Sequence, residues 1–134
     1  MGNTDVQENN IRIARSVFGT VFRDGAERLF SRDFICHVAE GLPYGREYRG
    51  PEGYLELMGH IKNFWSDVRQ ESQQFIPYGN DKVVIHFTLD GHMAKNGQHL
   101  RMPVIAIWEI KDGKVIDIRI FYFDTKRVAD LAAM

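Results

Sequence analysis

Three short turn-forming stretches, Gly79-Asn80-Asp81, Lys95-Asn96-Gly97-Gln98 and Asp112-Gly113, divide the second half of the chain and constrain its fold more than any other feature. Connections this short join only antiparallel neighbours, because a parallel return needs a crossover of about a dozen residues. The segments between them alternate with period two. They read as four strands, about 69 to 78, 82 to 94, 99 to 111 and 114 to 124, in an antiparallel meander.

The first half has a different period. Ile11, Ala14, Val17, Phe18, Val21 and Phe22 recur at steps of three and four, which predicts a helix from Asp5 to Phe22 broken by Arg23-Asp24-Gly25. Ala26 to Arg32 is long enough only for a short second helix, and Asp33 to Ala39 reads as a strand followed by a loop from Glu40 to Gly50. Pro51 marks a helix start, since its fixed φ suits a first turn where its missing N–H would be unpaired anyway. Leu55, Met58, Ile61, Trp65 and Val68 then follow at helical spacing, with the helix ending near Trp65 to Asp67. Thr125 to Ala133 closes the chain as a last helix. The fold class is therefore α+β, with helices packed on a strongly curved antiparallel sheet.

The strand from 99 to 111 carries Leu100, Met102, Val104, Ala106, Trp108 and Ile110 on one face, and Pro103, Ile105 and Ile107 between Arg101 and Glu109 on the other. A sheet with one wet face alternates more cleanly than this. Helices cover one side, and a second copy of the chain is expected to cover the other, over Ile105, Ile107, Phe121 and Phe123. The next strand places Ile116, Ile118, Ile120 and Tyr122 on one face and Val115, Asp117, Arg119, Phe121 and Phe123 on the other.

A chain of 134 residues fits one domain, and 44% hydrophobic with 26% charged residues is ordinary for a globular protein. With 17 basic against 18 acidic side chains, no net field attracts nucleic acid or anionic lipid. The segment MGNTDVQENN has no apolar signal core, Val6 stands where a myristoylation signal needs Ser or Thr, and no apolar run approaches the ~20 residues of a membrane span. Cys36 is the only cysteine and suits a reducing compartment, so a cytoplasmic protein is expected. No phosphate loop or nucleophile elbow is present, and no cofactor is expected.

The order of elements, the Gly-Pro-Glu-Gly helix start and the ending Trp-Glu-Ile-Lys-Asp-Gly-Lys-Val-Ile-Asp-Ile-Arg-Ile-Phe-Tyr-Phe-Asp resemble the nuclear transport factor 2-like superfamily. Within it, the chain looks most like the branch containing the SnoaL-like polyketide cyclases, ketosteroid isomerase and limonene epoxide hydrolase. The resemblance implies a conical α+β barrel, usually a homodimer, with a cavity for a hydrophobic small molecule. It places Phe18, Trp65, Met102, Ala106, Trp108, Ile118, Ile120 and Tyr122 against that ligand. The isomerase's oxyanion phenol falls on Phe18, its protonated acid near Ala106 and its general base near His37 or Val38. Tyr122-Phe123-Asp124 matches the closing Tyr-Phe-Asp of the epoxide hydrolase and Asp90 its strand carboxylate, while Thr88 replaces the arginine two residues before it.

Three residues emerge as catalytic candidates. Asp124 follows Ile118, Ile120 and Tyr122 on the cavity side, where apolar walls would raise its pKa for acid or base work; standing before Thr125, it is equally placed to cap the last helix. Asp90 shares a face with His86, Thr88 and His92, which is either a polar cavity wall or a wet surface opposite Val83, Ile85, Phe87 and Leu89. His37 stands at a strand end, where the family places pocket histidines or acids. His86 and His92 lie about 20 Å apart on an extended strand, too far to share a metal ion. The expected function is cofactor-independent acid–base chemistry on a hydrophobic carbonyl compound, as in a cyclase or isomerase. Epoxide-type water activation by the same carboxylates and a binding domain without turnover are the alternatives, and the binding reading follows if Asp90 faces solvent and Asp124 only caps.

Overall fold

The computed structural model describes residues 3–18 and 26–134. The first helix, α1 (Asn3–Val17), buries Asn10, Ile13, Ala14 and Val17, a single face at i, i+3, i+4 and i+7. Asn10 donates to the Asn80 carbonyl at 2.9 Å and Gln7 to that of Gly79 at 3.1 Å, which pins the helix to a strand turn. Val21, Phe22 and the break at Arg23-Asp24-Gly25 lie outside the described residues. A 3-10 turn over Ala26–Leu29 leads into β1 (Phe30–Val38), so the expected short helix ends earlier and the strand begins earlier than the periodicity suggested.

A short strand, β2 (Glu47–Arg49), lies within what reads in sequence as loop; it buries Tyr48 and pairs antiparallel with β1. Helix α2 (Gly50–Phe64) follows at once with Pro51 in its first turn. Its buried face is Gly50, Gly53, Tyr54 and Leu57, whereas Leu55 is 41% exposed. The sequence pattern pointed to Leu55 because it extended the helical period through Trp65 and Val68, and both of these belong to β3 (Trp65–Tyr78). At Trp65 the backbone turns directly from helix to strand, with φ −109 and ψ 130.

Strands β4 (Lys82–Met93), β5 (His99–Lys111) and β6 (Lys114–Tyr122) complete the expected meander, and α3 (Thr125–Ala132) closes the chain. The six strands run in the order β2-β1-β6-β5-β4-β3, an open sheet rather than a closed barrel. All neighbours are antiparallel except β1 and β6, which run parallel, the crossover between them being made by α2 and the intervening strands. Two irregularities in β3, between Trp65 and Asp67 and between Glu71 and Gln74, bend the long β3–β4 ribbon over the helices.

In β5 the face from Leu100 to Ile110 is buried, as its alternation requires, and Arg101, Pro103 and Ile105 are exposed. In β6 a bulge breaks the alternation. Glu109 pairs with Asp117 but Ile110 with Val115, so Ile116 is the extra residue and Val115 turns into the core, contrary to the simple period-two reading. The core between helices and sheet includes Trp108, Tyr48, Phe34, Leu57 and Ile85, each almost fully buried. No described helix is long and apolar enough to cross a membrane.

Candidate ligand cavity

Between α2 and the inner face of the sheet lies a cavity of about 60 Å³. Helix α2 contributes Tyr54, Leu57, Met58 and Ile61, one stripe at helical spacing. The strands contribute Trp65, Val68 and Gln70 from β3, Phe87 and Leu89 from β4, Val104, Ala106 and Trp108 from β5, and Ile118, Ile120 and Tyr122 from β6. Phe18 closes one side, edge-on to Phe87 at 5.0 Å and to Trp108 at 6.2 Å between ring centroids. The lining is apolar apart from the Gln70 amide, the Trp65 N–H and the Tyr54 and Tyr122 hydroxyls.

The Tyr122 hydroxyl lies 2.6 Å from that of Tyr44, and the Trp65 indole N–H donates to the Tyr44 oxygen across 3.4 Å. Tyr44 sits in the loop between β1 and β2 and is 7% exposed. Its backbone carbonyl accepts from the Tyr48 hydroxyl at 2.6 Å. The next residue, Gly45, turns so tightly that an added Cβ would fall 1.8 Å from the Ala39 carbonyl oxygen, so only glycine lets the loop present Tyr44 here. Gly91 has the same role under Trp65, where a Cβ would lie 2.4 Å from the Asp67 carbonyl oxygen and 3.1 Å from the indole ring. Burial raises the pKa of Tyr44, against its hydrogen bonds with Tyr122 and Trp65, and raises that of Tyr122 well above its usual 10.0, with Tyr44 adding to the effect. Both phenols are therefore neutral around pH 7 and keep their protons.

Seven of the eight expected lining residues meet at this cavity: Phe18, Trp65, Ala106, Trp108, Ile118, Ile120 and Tyr122. Met102 does not. It is buried on the same strand face, paired with Leu89, but is not part of the lining.

None of the three catalytic candidates faces the cavity. Asp124 is exposed just past β6 and accepts the Arg127 backbone N–H at 3.1 Å, the capping arrangement, because the strand ends at Tyr122 and the chain turns away into α3. Asp90 lies on the outer face of β4, bonded to His99 Nε2 at 2.8 Å and Arg101 Nη1 at 2.8 Å. Those two bonds, His99 first, hold its carboxyl below the usual range, the reverse of what an apolar cavity would do. The cavity face of β4 is the apolar one, with Phe87 and Leu89. His37 also points outward, with Nε2 2.8 Å from Asp117 and Nδ1 3.3 Å from Glu47.

Without those residues, neither the carboxylate acid–base pair nor epoxide-type water activation has its groups at the cavity. Cys36, on the opposite face of β1 from His37, is fully buried, and burial pushes its thiol up to about 12, which leaves it unreactive. Among the described residues no group of three His, Cys, Asp or Glu side chains is placed to hold a metal ion.

Sequence reasoning missed Tyr44, Tyr54 and Leu57. Tyr44 belongs to an aperiodic Pro-Tyr-Gly loop, where spacing carries no facing information; the two helix residues were masked by the competing stripe through Leu55.

Comparison with known proteins agrees with this architecture. No curated protein matches the sequence. Among solved structures, an NTF2-like protein from Burkholderia xenovorans LB400 superposes with a TM-score of 0.82 at 17% identity, covering 92% of this chain and 95% of that one. A phenazine biosynthesis-related protein from Pseudomonas aeruginosa gives 0.75 at 14% identity, covering 96% and 89%. A putative SnoaL-like polyketide cyclase from Jannaschia sp. CCS1 gives 0.67 at 17% identity, covering 88% of each chain. At these identities the likeness is one of fold. The model of the SnoaL-like domain matches residues 16–118, most of the chain, from the end of α1 into β6. The chain belongs to the SnoaL-like domain family.

Proposed function

We propose that this chain binds a small, mostly apolar, carbonyl-bearing molecule in the cavity between α2 and the sheet, as a binding domain rather than a carboxylate-based acid–base enzyme. One observation carries the reading: an apolar chamber lined at one side by one phenol of a part-buried, hydrogen-bonded pair, with Asp90, Asp124 and His37 all directed elsewhere. Apolar walls supply affinity through burial, and a few placed polar groups supply orientation. The names polyketide cyclase and phenazine biosynthesis-related protein, borne by two structural relatives, support a search among cyclic organic ligands.

The test uses the chain's own chromophores, since both of its tryptophans, Trp65 and Trp108, line the cavity and are 2% exposed. Acetophenone bound there should quench their emission along a saturating curve. Ala106→Phe fills the chamber and should abolish saturation, while Asp124→Asn and Asp90→Asn should leave it unchanged. Quenching that rises linearly in the wild-type protein and in Ala106→Phe alike would overturn the reading.

A further inference from the structure

We infer that Tyr44 is a positioning residue that makes Tyr122 a one-way hydrogen-bond donor into the cavity, so that the ligand atom bound at this end is an acceptor, a carbonyl oxygen. The inference rests on the proposal that a ligand occupies the cavity and adds which of its atoms is recognised, and by what.

The trio of Trp65, Tyr44 and Tyr122 holds three polar hydrogens, one indole N–H and two phenol O–H, but only two oxygens. Indole nitrogen donates and never accepts, so its bond to the Tyr44 oxygen has a fixed direction. One phenol then donates to the other across 2.6 Å, at the short end for such bonds. Whichever donates, one O–H hydrogen is left without an acceptor inside the trio, and neither hydroxyl has another hydrogen-bond partner among the described residues.

The surroundings decide which phenol carries the spare hydrogen. Tyr122 lines the cavity, whereas Tyr44 lines a separate open cleft with Tyr48, His60 and Phe64. If Tyr122 donated to Tyr44, the Tyr44 oxygen would accept two bonds and the Tyr122 oxygen none, leaving an acceptor unmet beside an apolar chamber, a costly arrangement. If Tyr44 donates to Tyr122, each oxygen within the trio accepts one bond and the spare hydrogen faces open volume. The direction is therefore Trp65 N–H to Tyr44, Tyr44 O–H to Tyr122, and Tyr122 O–H to the cavity. Each bond in such a chain polarises the next, so the terminal donor is stronger than an isolated phenol. Both groups stay protonated well above neutral pH, which keeps the donor present.

The test compares acetophenone with ethylbenzene, which has the same shape but no oxygen, in the wild-type protein, Tyr122→Phe and Tyr44→Phe. Binding is read by tryptophan quenching for the ketone, by its displacement for the hydrocarbon, and by the infrared carbonyl band of the bound ketone. The wild-type protein should prefer the ketone and shift its carbonyl band to lower frequency. Tyr122→Phe should weaken acetophenone about three- to tenfold, leave ethylbenzene within about twofold, and remove the band shift. Tyr44→Phe keeps the terminal donor but loses its polarising partner, so its band should lie between those two. Equal binding of ketone and hydrocarbon by the wild-type protein, or a band shift that survives Tyr122→Phe, would overturn the donor while leaving the cavity reading intact. A Tyr44→Phe band identical to wild type would overturn the role of Tyr44. Binding of neither probe would overturn the cavity reading and the donor with it.

Discussion

Leu55 and Leu57 stand two residues apart on α2, and truncating each to alanine separates the packing seen in the fold from the packing suggested by periodicity. Leu57 is fully buried against the cavity, whereas Leu55 is 41% exposed. Leu57→Ala removes three carbons, which at about 0.8 kcal/mol each amounts to about 2.4 kcal/mol of lost transfer energy. If roughly 40 Å³ of the vacated space stays open, the void adds about 1 kcal/mol at ~24 cal/mol per Å³. A loss of about 3.5 kcal/mol is thus expected, against a total stability of about 5–15 kcal/mol for a domain. Leu55→Ala should cost less than about 1 kcal/mol, as exposed substitutions do. Urea unfolding followed by circular dichroism measures both, with the slope m unchanged so that the midpoints report stability alone. In thermal scans the Leu57 variant should melt on the order of 10–18 °C lower, at about 3–5 °C per kcal/mol for a chain of this size. Equal losses from the two variants, or a larger one from Leu55→Ala, would refute the facing of α2 and with it the wall of the cavity.

Asp90 has a folded pKa depressed below its ordinary 3.8 by His99 and Arg101, so the unfolded chain binds its proton first as pH falls. Its stabilising contribution is present above about pH 5 and is lost as pH falls through the folded value. Asp90→Asn should therefore lower the melting temperature at pH 7 with a gap that closes towards pH 2; a gap constant with pH would remove the ion-pair explanation. On the outer face, Ile105, Phe121 and Phe123 are 39%, 49% and 79% exposed, and we propose that a second copy covers them. Light scattering at micromolar concentration should report twice the 15.5 kDa chain mass for the wild-type protein and a single chain for Phe121→Glu, and a wild-type monomer would defeat the proposal.

Sequence alone determined the meander, because turns as short as Asp112-Gly113 admit only antiparallel neighbours and because period two assigns β5 residues to faces without knowledge of the rest. For the same reason Ala106, Trp108, Ile118, Ile120 and Tyr122 were legible as one side of the sheet, and they meet at the cavity. Tertiary structure decided everything that depends on where a regular period stops. The bulge at Ile116 turned Val115 into the core, and the handover at Trp65 ended a helical stripe that had pointed to Leu55. The chain's departure after Tyr122 took Asp124 to a helix cap instead of the cavity. Asp90 shows the limit most plainly: alternation established that it opposes Leu89, but only the placing of the helices on Leu89's side of the sheet made the apolar face the inner one. Tyr44 lies beyond any period, since an aperiodic loop is placed by contacts distant in sequence, here the hydroxyl of Tyr122 78 residues away.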